Sequence, residues 1–177
     1  FIFTVAWHPG IINLKYMSEL LGIPVTIHAL WHAGSYDPQD FLGRLIGDKP
    51  WVRHAEKSFF DAIDHNYFAT QFHINMFVEH LLGVPQGKIT NVAGSLMREG
   101  KIVRSGWPME YMADTLLPYQ HLPKRDLILF PHRVAPEKQV EIVKGHAQAM
   151  TECEFIVCNE HGLTKHEYHT LLGEAKL

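Results

Sequence analysis

Cysteine is scarce. The 177 residues contain two, Cys153 and Cys158, on either side of Glu154–Val157, an isolated pair that fits a disulfide or metal site less well than two reduced thiols. They read as reduced core thiols at the ends of a strand. Long apolar runs are also missing. No stretch approaches the ~18 uninterrupted apolar residues that a membrane helix requires, and no basic region leads into an apolar segment with a small-residue cleavage site. A cytoplasmic chain without a transmembrane segment is expected. Charge of one sign is not in excess: 16 Lys and Arg against 19 Asp and Glu leave a net charge of -3 with His neutral. With no local basic patch either, nucleic acid is not an expected partner. What is present is 46% hydrophobic and 20% charged residues, the composition of a globular chain with length for one domain or parts of two.

Strand-like apolar runs alternate with helical periodicity, the pattern of βα units around a largely parallel sheet. "FIFTVAW" leads to a helix ending in "ELLG", and "PVTIHALW" follows. A loop with Gly34, Pro38 and Gly43 precedes a helix over 50–63, in which Trp51, Ala55, Phe59 and Ala62 mark a buried face. "YFAT" then precedes a helix whose stripe holds Ile74, Phe77 or Val78, and Leu81 or Leu82. Two helices close alike, in "ELLGIP" and "HLLGVP": a glycine able to take positive φ, an apolar residue and a proline that stops the helix.

Between Pro85 and Arg125 turn formers cluster around short strand candidates at Ile89–Val92 and Lys101–Ser105, which reads as a connector between two lobes. Beyond it, "DLILFP" is a strand. Val140, Val143, Ala147 and Met150 share a helix face, "EFIVC" is a strand, and Thr164 with Glu167 fits a capping box on the last helix. Two βα units bury too little for a complete domain, and the chain opens inside an apolar run, so the sequence reads as part of a longer protein.

The stretch "LILFPHRVAPEKQ", residues 127–139, holds the sharpest chemical signal. With Pro136 as first helical residue, Ala135 occupies the N-cap and offers no side-chain oxygen to the free amides. Lys138 then falls in the first turn, where the helix dipole disfavours a cation by about 0.3–1 kcal/mol unless an anion is near. Arg133 adds a planar fork suited to phosphate at the carboxyl end of a strand, where open α/β sheets bind ligands. A diphosphate answers all three anomalies; a solvated lysine with Arg133 paired to a local acid answers them as well.

These residues resemble the opening of the donor-binding domain in retaining nucleotide-sugar glycosyltransferases of the group 1, family 4-like type (GT-B), with Arg133 and Lys138 spaced Arg-x4-Lys. "GIPVTIHALW" is similar to that family's acceptor-domain strand ending in a histidine that faces the interdomain cleft, here His28, and "VRSGWPMEYM" to its crossover segment. The resemblance implies two Rossmann-like lobes, the first over 1–105 and lacking its N-terminal part, a crossover at 106–125, and the second over 126–177 lacking its C-terminal part. It implies a nucleotide sugar as donor, an unidentified acceptor and no separate cofactor. Arg133 and Lys138 would hold the diphosphate, His28 would serve as the catalytic residue on the transferring sugar, and His8 would be an acceptor-side candidate. The sequence departs from the pattern at His132, where a glycine is usual, and at Ser105, where an asparagine is; the family's glycine-rich loop and glutamate pair are absent.

Thirteen histidines pose a rival, a metal-binding protein or metal-dependent hydrolase. His28 and His32 are four apart but in strand and loop, and His161, His166 and His169 cluster beside Glu160 and Glu167 without a zinc signature. A non-catalytic interface piece, with Trp107, Tyr111 and Tyr119 as its aromatic surface, and two-lobed epimerases or sugar phosphorylases also remain open.

Overall fold

The computed structural model describes residues 1–47, 49–135 and 138–176. The chain is α/β and divides into two compact units, Phe1–Trp107 and Pro108–Leu177. Among the described residues, no helix is long and apolar enough to cross a membrane.

The first unit runs β1 (Ile2–Phe3), α1 (Pro9–Leu21), β2 (His28–Trp31), α2 (Phe41–Leu45), α3 (Pro50–Ala62), β3 (His65–Phe68), α4 (Gln71–Met76), a π-turn over Phe77–Leu81, α5 (Ile89–Arg98) and β4 (Ile102–Arg104). All its strands are parallel and lie in sequence order, β1-β2-β3-β4. Right-handed crossovers that always step the same way deliver every helix to one face. The core shows it. Ala29, Trp31, Phe68 and Ile102 from the strands cluster with Ile11 of α1, Phe59 and Phe60 of α3, Ile74 of α4 and Ala93 of α5. The alternate strand residues His28, Leu30, His65, Tyr67 and Val103 are only half-buried, as period-two alternation requires of a sheet covered on one side.

Local punctuation follows the chemistry of the residues. Gly22 closes α1 at φ 65°, and Gly83 takes φ 74° after the π-turn, conformations that cost a Cβ-bearing residue more. Phe77 opens the π-turn with no exposed surface and meets the rings of Trp31, Tyr36, Phe60 and Phe68 at centroid distances of 4.9–5.3 Å.

Several expectations need correction. Ile89–Val92 is helical, in α5, because Ile89 and Ala93 are buried one turn apart with Val92, Leu96 and Met97 packed beside them; helical spacing outweighs the β-branched composition. Trp51 is 59% exposed, and the buried face of α3 is Val52, Glu56, Phe59, Phe60 and Ala62. The loop containing Gly43 includes the short helix α2, and α5 and β4 belong to the first unit, not to a connector.

The second unit contains α6 (Glu110–Leu116), a 3₁₀ turn (Leu117–Tyr119), β5 (Leu127–Phe130), α7 (Val140–Ala149), β6 (Glu154–Val157) and α8 (Lys165–Glu174). β5 and β6 are parallel. Phe130, Val140 and Val157 form the buried cluster, with Val143 against it. Thr164 and Glu167 make the reciprocal capping box of α8. Gly173 is required because a Cβ there would lie 2.5 Å from Tyr119 O.

Candidate functional site

In the second unit the order of strands turns back on itself. β5 feeds through α7 to β6 on one side. After α8 the chain returns to the other side of β5, where Arg125 and Ala175 form a parallel bridge. Arg125 N donates to Glu174 O at 3.0 Å and Lys176 N to Leu127 O at 3.2 Å. Crossovers that step in opposite directions give a reversal of strand order, and open α/β sheets commonly bind ligands beside the carboxyl end of a strand at such a reversal.

The segment leaving the carboxyl end of β5 is the one with the unusual charge. His132 packs edge-on against Phe130, centroids 5.4 Å apart; Arg133 and Lys138 both have exposed side chains. The expected helix start at Pro136 falls outside the described residues. The described helix opens later, at Val140, with Gln139 as N-cap at φ 53°, ψ 42° and no side-chain cap. Lys138 therefore precedes the α-helix, in a turn where its N–H donates to Ala135 O at 2.9 Å. The case for an anion rests on the two cations and their place after β5. Gln139 is, among the described residues, the one non-glycine at positive φ, a strained conformation of the kind concentrated at binding loops.

The first unit places its chemistry at two edges of the sheet. His28 opens β2 and Trp31 ends it, so His28 lies at the amino edge. The expectation of a histidine at the strand's carboxyl end is overturned. The apolar residues ahead of it were read as strand, but pairing starts only where β1 supplies a partner, at Ile2↔His28. His28 Nδ1 lies 3.1 Å from Tyr67 Oη.

At the carboxyl edge stand residues that sequence reading passed over. The loop after β2 is pinned by Glu56, which has no exposed surface and accepts from Ser35 N at 2.6 Å and Ser35 Oγ at 2.7 Å. Tyr36 Oη lies 2.7 Å from His73 Nε2, both buried. Burial, then the negative charges of Glu56, Asp37 and Asp40, raise the Tyr36 pKa well above its ordinary value. Burial lowers that of His73, against the pull of Asp37 and Asp40 and with a small push from His32. The pair thus consists of a phenol and a neutral imidazole joined by one hydrogen bond. Gly34 fits because a Cβ would strike the Tyr36 ring and sit 2.8 Å from Glu56 Oε1. That glycine next to Ser35 and Tyr36 was the visible signal, since a residue chosen for lack of a side chain marks a crowded turn.

Exposed groups line the same edge. His8 caps α1, its Nδ1 accepting from Gly10 N at 3.1 Å. His32 Nε2 lies 2.8 Å from Thr4 O, and its ring stacks on Trp107 with centroids 6.2 Å apart. Among the described residues, no three His, Cys, Asp or Glu side chains come together to hold a metal; His166 and His169 instead contact the ring of Tyr119. Cys153 and Cys158 are free thiols. Compared with known proteins, the chain matches no family model, no curated protein and no solved structure.

Proposed function

We propose that this chain belongs to a GT-B-type glycosyltransferase that takes its sugar from a nucleoside-diphosphate donor, with Arg133 and Lys138 as ligands of the diphosphate. One observation carries the reading. The reversal of strand order at β5 makes its carboxyl end the general ligand position of an open α/β sheet, and the segment leaving that end supplies a guanidinium and an ammonium. Departure of the nucleoside diphosphate builds negative charge on the leaving phosphate, and prepositioned cations stabilise that charge as it develops. The arginine suits two oxygens at once; the lysine acts as a mobile point charge. At the first unit's carboxyl edge, His8, His32 and Trp107 are the exposed groups available to a sugar or acceptor, and they replace His28 in that role.

Calorimetric titration with UDP, GDP and inorganic phosphate tests the reading. Arg133→Ala and Lys138→Ala are each expected to weaken nucleoside diphosphate binding by roughly 10- to 100-fold, the loss of a charge-assisted hydrogen bond worth about 1.5–3 kcal/mol, with the thermal transition unchanged. Phosphate binding without nucleotide binding would favour a phosphorylase. Unchanged affinity in both variants would remove the anion site, and the glycosyltransferase reading with it.

A further inference from the structure

On the face of the first unit's sheet that carries no helix, two histidines stand side by side. His28 and His65 are register partners on β2 and β3, and their rings stack with centroids 4.8 Å apart and planes 23° from parallel. Each ring is tied at its inner nitrogen: His65 Nδ1 lies 2.7 Å from Gly100 O, and His28 Nδ1 lies 3.1 Å from Tyr67 Oη. A carbonyl can only accept, so His65 carries its proton on Nδ1 and presents a lone pair on Nε2. Tyr67 Oη can accept from His28 Nδ1 in the same way, and that tautomer leaves the Nε2 lone pair of His28 free as well. Nε2 is the ring nitrogen farther from the backbone, so both lone pairs are held on the side of the sheet that the helices leave uncovered.

We infer that His28 and His65 form a two-histidine seat for a divalent transition-metal ion that favours imidazole, with zinc, copper and nickel as the class. The inner hydrogen bonds are what a metal-bound histidine needs from its surroundings: they fix the tautomer and the ring orientation, and they leave the outer nitrogen basic. Ligation at about 2.0–2.1 Å from each nitrogen brings the two nitrogens to about 3 Å of one another. Two imidazoles are the protein's whole contribution, since no third His, Cys, Asp or Glu joins them among the described residues. Water completes the shell, and the ion is exchangeable rather than structural. Tyr67 is a positioning residue for His28. The seat is independent of the diphosphate reading, which uses residues of the other unit.

Calorimetric titration of the untagged chain with ZnCl2 provides the test, with His28→Gln, His65→Gln and, as a control in the second unit, the double variant His166→Gln/His169→Gln. One zinc per chain is expected, with affinity lowered at least about tenfold in either first-unit variant and unchanged in the control. Copper(II) added to the wild-type chain gives a readout that needs no variant: an electron paramagnetic resonance signal coupled to two imidazole nitrogens, becoming one nitrogen in either single variant that folds. Zinc affinity unmoved by His28→Gln and His65→Gln, a loss that follows His166 and His169 instead, no stoichiometric binding, or a wild-type signal with fewer than two nitrogens would each overturn the assignment.

Discussion

β1 through β4 keep adding on one side, and the helices that connect them all land on one face. β5 instead gains a neighbour on each side, β6 through α7 and Ala175 through α8. The first arrangement produces a deep core and a bare sheet face; the second produces a small core, Phe130, Val140 and Val157, and a reversal of strand order at β5. The same βα grammar thus yields two different sheets, by the direction of a single step. All four tryptophans, Trp7, Trp31, Trp51 and Trp107, lie in the first unit, so their fluorescence follows that unit alone.

The contrast breaks most visibly at Phe77. Its ring is the hub of the first unit's aromatic core, so Phe77→Ala should cost about 3–5 kcal/mol through lost burial and the cavity left behind. The tryptophan-detected urea midpoint should fall sharply while amide exchange in β5 and β6 stays as it was. A midpoint within error of wild type would mean that the ring cluster does not hold the unit together.

Acidification gives a smaller effect of the same kind. Burial holds the His73 pKa below the value of about 6.5 that it has in an unfolded chain. The unfolded state therefore binds the proton first: the stabilisation is complete above about pH 6.5 and is lost as pH falls from there toward the folded-state pKa. The tryptophan-detected midpoint should be lower at pH 5 than at pH 7.5, and His73→Gln should flatten that difference. Tyr36→Phe, which removes the hydroxyl bonded to His73, should cost about 0.5–1.5 kcal/mol. An identical pH dependence in wild type and His73→Gln would show that other groups govern it.

The smallest change sharpens the other side of the comparison. Thr164 Oγ1 accepts from Glu167 N at 3.3 Å, and Thr164 donates to Glu167 Oε2 through N at 2.8 Å and through Oγ1 at 2.6 Å. Those donors hold the Glu167 carboxyl below the ordinary carboxylate range. Thr164→Ala should destabilise the second unit by about 0.5–1 kcal/mol and let the Glu167 pKa rise, both readable by NMR. A fixed Glu167 titration would deny the capping box.

Much of this architecture was legible because it depends on local signals. Gly22 and Gly83 announce helix ends, Thr164 and Glu167 announce a helix start, and the apolar runs at 127–130 and 154–157 announce strands, each through chemistry confined to a few residues. What escaped depends on distant partners. "ITNV" at 89–92 has strand composition, and only the helical packing of Ile89 and Ala93 decides for α5. His28 follows an apolar run and reads as a strand's end, yet β1, far away in sequence, decides that pairing begins there. Trp51 is bulky and correctly spaced for burial, but the core selects Val52 and Glu56 on the adjoining stripe. The Tyr36–His73 pair joins residues 37 apart and leaves no pattern in either segment. The Arg133 and Lys138 segment was legible from composition, whereas the reversal of strand order at β5 required the bridge at Ala175.

The consecutive strand order also has a meaning for how the polypeptide finds its fold. Ile2 meets His28, His28 meets His65 and Asn66 meets Ile102, so each new pairing closes a segment of similar length. Because closure entropy grows only as the logarithm of length, these steps differ by only about 0.3 kcal/mol. No single step dominates the barrier, and the first sheet can assemble strand by strand as the chain leaves the ribosome, amino end first. β5 cannot be finished that way: its second neighbour, Ala175, emerges only after α7, β6 and α8, so that pairing must wait for all three.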